Sequence, residues 1–171
     1  MNYSRIKYCD IANGTGIRTT LFVSGCRNHC NGCFQPETWD FNYGKPFTDE
    51  TLKEIIDNSN HDYIAGLTVL GGEPFEEENQ KVLVKVIEEF KNTYPNKNIW
   101  CFTGYIIDDL LSNGKKHTKY TDTILSNIDV LVEGPFILEK KNLCLKFRGS
   151  DNQRIIDMNE FRKTGKIVDL C

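Results

Sequence analysis

Four short β-prone runs, each ending at a glycine-containing segment and the first three followed by helical patterns, limit this chain to few architectures; after the fourth the pattern loosens. The runs are Thr19-Thr20-Leu21-Phe22-Val23, Leu67-Thr68-Val69-Leu70, Ile99-Trp100-Cys101-Phe102-Thr103 and Ile128-Asp129-Val130-Leu131-Val132. They stop at Gly25, at Gly71-Gly72, at Gly104 and at Gly134-Pro135. Between them, Thr48 is placed to cap a helix with Leu52, Ile55 and Ile56 at helical spacing. A longer helix is expected over about Glu77 to Thr93, with Leu83, Val86, Ile87 and Phe90 on one face. Ile106 to Leu111 and Thr121 to Asn127 read as shorter helical segments. Strand followed by helix at this spacing predicts an α/β fold, a parallel sheet with helices outside it. A length of 171 residues suits one domain over 1–171 and is too short for an eightfold barrel of about 250 residues, so an incomplete, open barrel is expected.

In such folds the loops at the carboxyl ends of the strands build the site. Four unusual segments fall there: the stretch after Val23, then Gly71-Gly72-Glu73-Pro74, Thr103-Gly104-Tyr105 and Glu133-Gly134-Pro135-Phe136. The first reads Cys26-Arg27-Asn28-His29-Cys30-Asn31-Gly32-Cys33. Three thiolates on so short a loop can hold three corners of a cubane iron–sulfur cluster and leave one iron open to a substrate. The competing reading is a structural zinc ion, with His29 or Cys9 as fourth ligand, although the His29 ring between two cysteines is poorly placed to join them. Gly71 and Gly72 lack a Cβ, so a ligand could approach their backbone, and Glu73 could accept a hydrogen bond from an ammonium group. A glycine-rich turn with an acid at a helix start is the competing account of that segment.

The remaining composition narrows the class. A formal charge of −3 with both signs interspersed gives no general case for nucleic acid. No segment is long and apolar enough for a membrane span, and the first residues do not resemble a signal peptide, so a cytoplasmic protein is expected. Seven cysteines make an odd count, as expected where thiols stay free for metal or redox work. Cys101 and Cys144 lie in apolar runs and are expected to be buried and inert, and Cys171 to be incidental. His61 and His117 lie in polar stretches and are expected to be solvated, and Lys115-Lys116-His117 to form an exposed turn.

Cys26-x-x-x-Cys30-x-x-Cys33 resembles the cluster motif of the radical S-adenosylmethionine superfamily, and Gly71-Gly72-Glu73-Pro74 resembles its methionine-binding turn. The resemblance runs nearly end to end. It is closest to the family of proteins that activate the anaerobic (class III) ribonucleoside-triphosphate reductase. Supporting segments are Cys9-Asp10 through Asn13-Gly14-Thr15-Gly16-Ile17-Arg18, Thr38-Trp39, Phe102-Thr103-Gly104-Tyr105, Asp129 to Phe136, and Arg148-Gly149-Ser150 through Asn152-Gln153-Arg154. Gly32 stands where many superfamily members carry an aromatic residue, which is similar to the reductase activases. Asn13-Gly14-Thr15-Gly16 departs from the Asp-Gly-Pro-Gly of many glycyl-radical activases.

The resemblance implies a barrel of the radical S-adenosylmethionine type and a [4Fe-4S] cluster on Cys26, Cys30 and Cys33. It implies S-adenosyl-L-methionine contacts from Gly32, Cys33, Phe34, Gly71, Gly72, Glu73 and Thr103, with no catalytic residue beyond these two sites. The implied reaction is formation of a 5′-deoxyadenosyl radical that abstracts hydrogen from a glycine of the reductase. The implied partners are the large subunit of anaerobic ribonucleotide reductase, reduced flavodoxin or a similar electron donor, and a second copy in a homodimer. The loops at Arg148 to Arg154 and at Tyr105 are expected to contact the reductase or S-adenosylmethionine. The alternatives are an activase of another glycyl-radical enzyme, such as pyruvate formate-lyase, and a non-catalytic iron–sulfur electron carrier.

Overall fold

The computed structural model describes residues 1–170, so Cys171 lies outside the described residues. Seven strands form one open sheet. They are β1 (Asn2–Asp10), β2 (Ile17–Val23), β3 (Lys45–Pro46), β4 (Ile64–Gly71), β5 (Asn98–Phe102), β6 (Val130–Glu133) and β7 (Arg154–Asp157). Their order across the sheet is β3-β1-β2-β4-β5-β6-β7. The middle strands β2, β4, β5 and β6 run parallel, as expected, with Leu21 beside Val69 and Cys101 beside Leu131. The sheet is not parallel throughout: β1 pairs antiparallel with β2 and β3, and β7 antiparallel with β6. It is also not closed: β3 and β7 are its terminal strands, and the outer edge of β7 carries residues 168–170 through an antiparallel bridge between Ile156 and Asp169.

The helices are α1 (Asp49–Asn58), α2 (Glu77–Thr93), α3 (Ile107–Leu110), α4 (Thr121–Asn127) and α5 (Met158–Thr164). Thr48 caps α1 as expected, its hydroxyl accepting from Thr51 N while the Thr51 hydroxyl accepts from Thr48 N, a reciprocal capping box. The strands alternate with a period of two. Leu21, Val23, Leu67, Val69, Ile99, Cys101 and Leu131 pack on Leu52, Ile55, Leu83, Val86, Phe90 and Ile124 of the helices in one buried core. The opposite face presents Trp100, Val130, Val132 and Ile155, joined by Phe102 and Phe147. The helices therefore cover one face, and the other remains available to line a site. Among the described residues no helix is long and apolar enough to cross a membrane.

That second face is stopped at the amino ends of the strands by Arg18, which is completely buried. Its guanidinium donates to Thr68 Oγ1 at 2.6 Å and to the carbonyls of Thr15 (3.0 Å), Leu67 (2.8 Å) and Asn98 (3.2 Å). It lies 5.5 Å from the Trp100 ring centre. Burial pulls its pKa down to about 10, so it stays charged at neutral pH.

Candidate active site

The carboxyl ends of β2, β4, β5 and β6 meet around a cavity of about 230 Å³. Cys26, Cys30 and Cys33 line it together with Phe34, Gly71, Gly72, Glu73 and Thr103, eight of the residues singled out in the sequence. Gly32 is the exception: it is exposed, turns with φ +73° and faces the Leu138 side chain rather than the cavity. Asn28, Trp39, Phe102, Gly104, Phe136 and Gln153 also line the cavity and were not singled out as ligands. Each lies in a segment already noted: Asn28 in the cysteine loop, Trp39 in Thr38-Trp39, Phe102, Gly104 and Phe136 at strand ends, and Gln153 in the Arg148 to Arg154 loop expected to make contacts.

The cysteine loop is fastened by backbone contacts that only glycine permits. Gly72 N donates to Val23 O at 2.7 Å and Glu73 N to Gly25 O at 2.8 Å, while Gly25 N donates to Thr38 O at 2.8 Å. A Cβ on Gly72 would lie 2.6 Å from Gly25 O and 2.9 Å from Thr38 O. One on Gly71, where φ is +116°, would lie 2.5 Å from Val23 O. The glycine pair thus lets the cysteine loop, rather than a ligand alone, approach the turn. Gly72→Ala is expected to cost about 1–3 kcal/mol through this backbone clash. Thermal melting read beside iron content would show both falling together.

Glu73, expected to accept from an ammonium group, is engaged by the chain's own groups. It is 1% exposed, and both carboxylate oxygens are occupied by the protein itself. Oε1 accepts from the Thr103 hydroxyl (2.7 Å) and Phe75 N (2.9 Å), and Oε2 from Gly104 N (2.8 Å) and Asn28 Nδ2 (3.0 Å). Burial raises its pKa to about 7, against the opposing pull of those hydrogen bonds. Its carboxylate ties together the ends of β4 and β5 and the cysteine loop. Thr103 is held by the same bond, so its hydroxyl faces Glu73.

Tyr105, expected at a partner or ligand surface, is buried, and its hydroxyl donates to Glu76 Oε1 at 2.8 Å. Arg148 turns back on its own loop and donates to Gln153 O at 2.6 Å. Gly149 and Gln153 of that loop do reach the cavity. Glu133 is buried between Ile107 N and the Arg154 guanidinium, so it anchors α3 and β7. Of the other cysteines, Cys101 is buried as expected, but Cys144 and Cys9 are exposed. His61 stacks on Tyr63, and His117 meets Asp122 at 3.0 Å. Lys116 is not simply exposed, since its ammonium lies 4.5 Å above the Tyr105 ring.

The donor set suits an iron–sulfur cluster. Three thiols from one loop line one cavity, and among the described residues no three His, Cys, Asp or Glu side chains converge to hold a single ion. A zinc ion needs such convergence, whereas a cubane spreads its thiolates over separate irons. Burial pushes the Cys26 thiol up to about 12, and raises Cys30 as well. Without a metal these are protonated, weak nucleophiles, which suits ligands that lose their protons on metal binding.

Residues 12–156 match the model of a family described as "4Fe-4S single cluster domain". The chain is 39% identical over 157 residues to the anaerobic ribonucleoside-triphosphate reductase-activating protein of Enterobacteria phage T4, covering 91% of this chain and 93% of that one. It is 37% identical over 155 residues to the protein of that name in Escherichia coli K12, covering 90% and 96%. With the Haemophilus influenzae protein of the same name it shares 39% identity over 157 residues, covering 91% and 97%. The chain belongs to this family of reductase-activating proteins. Family membership covers both edges of the cavity, since the matched residues run from the loop before β2 into β7.

Proposed function

We propose that the chain activates anaerobic ribonucleoside-triphosphate reductase by radical S-adenosylmethionine chemistry, with one [4Fe-4S] cluster held by Cys26, Cys30 and Cys33. One observation carries the reading: the three thiols share a single cavity with the glycine turn of β4 and the end of β5, at the carboxyl ends of the parallel strands of an open sheet. When bound, the cluster and S-adenosylmethionine would supply one-electron cleavage of a carbon–sulfur bond, giving methionine and a 5′-deoxyadenosyl radical that takes hydrogen from a glycine of the reductase large subunit.

The chain's own residues orient and enclose. The Gly71-Gly72 turn offers backbone groups beside the cysteine loop. Phe34, Phe102, Val132 and Phe136 give that cavity apolar walls. Hydrogen-atom transfer needs proximity and no proton shuttle, consistent with a Glu73 carboxylate whose oxygens are already occupied. A protein segment would enter at the carboxyl ends of the strands, where the cavity lies. Reduced flavodoxin, or a donor like it, would supply the electron.

The test is anaerobic reconstitution with iron and sulfide, reduction, and addition of S-adenosylmethionine with the cognate reductase. Release of methionine and 5′-deoxyadenosine, with a glycyl-radical doublet in electron paramagnetic resonance, is the expected result. Protein with a full complement of iron that releases no deoxyadenosine would be an electron carrier instead. Radical formation on pyruvate formate-lyase in place of the reductase would assign the other activase class.

A further inference from the structure

Cys26 is followed directly by two residues that are gripped from opposite sides. Asn28 reaches into the cavity to Glu73, as described above. Arg27 reaches outward to Glu76, the residue at the N-cap of α2. Arg27 N donates to Glu76 Oε1 at 3.0 Å and its Nη1 donates to Glu76 Oε2 at 2.7 Å. The guanidinium also pairs with Glu78, at 2.6 and 3.0 Å, and stacks 4.3 Å from the Phe41 ring centre. Glu76 is 3% exposed and takes the Tyr105 hydroxyl as well, so one carboxylate joins the loops that follow β2, β4 and β5.

The Glu76 carbonyl accepts from Asn79 N and Gln80 N at 2.9 Å, but its side chain does not cap the helix. Caps are normally Ser, Thr, Asp or Asn, whose short side chains reach back to the first turn. Glu76 makes no side-chain cap, and its carboxylate is turned toward Arg27 and Tyr105, with the Lys116 ammonium 3.9 Å from Oε2. A buried carboxylate carries a large desolvation cost unless it is paired and hydrogen-bonded, which this one is. Neither Arg27 nor Glu76 faces the thiols' side of the loop in the way Asn28 and Glu73 do, and only Asn28 and Glu73 line the cavity.

We infer that Arg27 and Glu76 are positioning residues for the cluster. They form the outer jaw of a clamp, with Asn28 and Glu73 as the inner jaw, that fixes where Cys26 presents its sulfur. The inference rests on the cluster assignment proposed above, though not on the S-adenosylmethionine reaction. Hydrogen-bonding partners behind metal ligands commonly hold metal affinity by about 10–100-fold, and the same size of effect is expected here.

The experiment measures cluster loss rather than turnover. Reconstituted parent protein, Glu76→Gln, Arg27→Ala and Arg27→Lys are challenged anaerobically with a chelator, and the visible iron–sulfur absorbance is followed with time. Glutamine keeps the size of Glu76 but points an amide donor at the guanidinium, so it breaks the grip without opening a cavity. Expected are full initial iron contents, decay about 10–100-fold faster in Glu76→Gln and Arg27→Ala, and partial rescue in Arg27→Lys. Lys85→Ala, which breaks the exposed Lys85–Asp49 pair on the far side of α2, is the control for loss of an ion pair as such. Apo-protein melting checks that the fold is retained. Decay equal to the parent in folded Arg27→Ala would overturn the inference even if Glu76→Gln failed to fold. A parent that holds no cluster would instead sink the proposed function.

Discussion

Cys30→Ala is expected to lose deoxyadenosine release and glycyl-radical formation down to background while the protein remains folded. Cys30 is partly exposed in an irregular loop, outside the two buried clusters that hold the sheet together. Substitutions at such positions usually move stability by no more than about 0.5 kcal/mol. Function has no comparable tolerance, because each thiolate would hold a separate iron and the remaining two could not keep the cubane in register. Cys26→Ala is a less clean variant, since Cys26 is only 8% exposed and its loss also removes buried volume. Cys9→Ala and Cys144→Ala, both at exposed thiols, are the matched controls and should retain full activity. Iron per chain, circular dichroism and deoxyadenosine yield would be measured on all four. Full cluster absorbance in Cys30→Ala, or its loss in Cys9→Ala, would contradict the three-thiolate assignment.

The centre of the fold was legible because burial on two faces leaves a strong pattern. β2, β4 and β5 appear as apolar runs, and α2 begins and ends at Glu77 and Thr93, as its helical spacing suggests. The edges were not legible. β1 carries Arg5 and Lys7 and is mostly half-buried, so it shows no clean alternation, while β7 is four residues long and starts at Arg154, inside a polar stretch. β1 lies beside the terminal strand β3 and β7 is terminal itself, and charge in the one and shortness in the other hide them from pattern reading. Pro46 tolerates its place in β3 because that strand lies at the edge. The sixth strand was placed two residues early because Ile128 and Asp129 look like strand. The Asp129 carboxylate instead accepts from Ile99 N at 2.8 Å and from Lys91, capping the start of the pairing.

At the site, spacing revealed which residues gather but not what their side chains do there. Glu73, Thr103 and Tyr105 sit where a ligand contact was expected, and their polar atoms are directed at one another, at Glu76 or, for Glu73, also at Asn28 and the backbone of Phe75 and Gly104. A motif fixes chain position; the partner of a buried carboxylate depends on loops distant in sequence. Arg27 and Asn28 face this limit most clearly, since their partners lie 49 and 45 residues away.

Arg18→Met is expected to produce the largest loss of stability, about 3 kcal/mol or more, with little effect on cluster retention at temperatures where the protein is folded. Methionine matches the length of the arginine stem but supplies no donor. The carbonyls of Thr15, Leu67 and Asn98 and the Thr68 hydroxyl would each lose a partner, the Leu67 and Thr68 groups in fully buried positions. A buried acceptor left unsatisfied costs about 1–3 kcal/mol, less where a carbonyl keeps its bond in the sheet, and the gain from removing a buried charge offsets part of the sum. For a chain of this size each kcal/mol lowers the melting temperature by about 2–4 °C, so a fall of about 6–12 °C is expected. Arg18→Lys would keep the charge and lose the fork, giving an intermediate fall. The expected split between stability and cluster retention follows from the polarity of the sheet: Arg18 lies at the start of β2 and the cysteine loop leaves its end, about 17 Å away at the rise of an extended strand. In parallel α/β folds the amino rim serves stability and the carboxyl rim serves chemistry. A cluster that decays faster in folded Arg18→Met than in the parent would show that the two rims are mechanically coupled through β2.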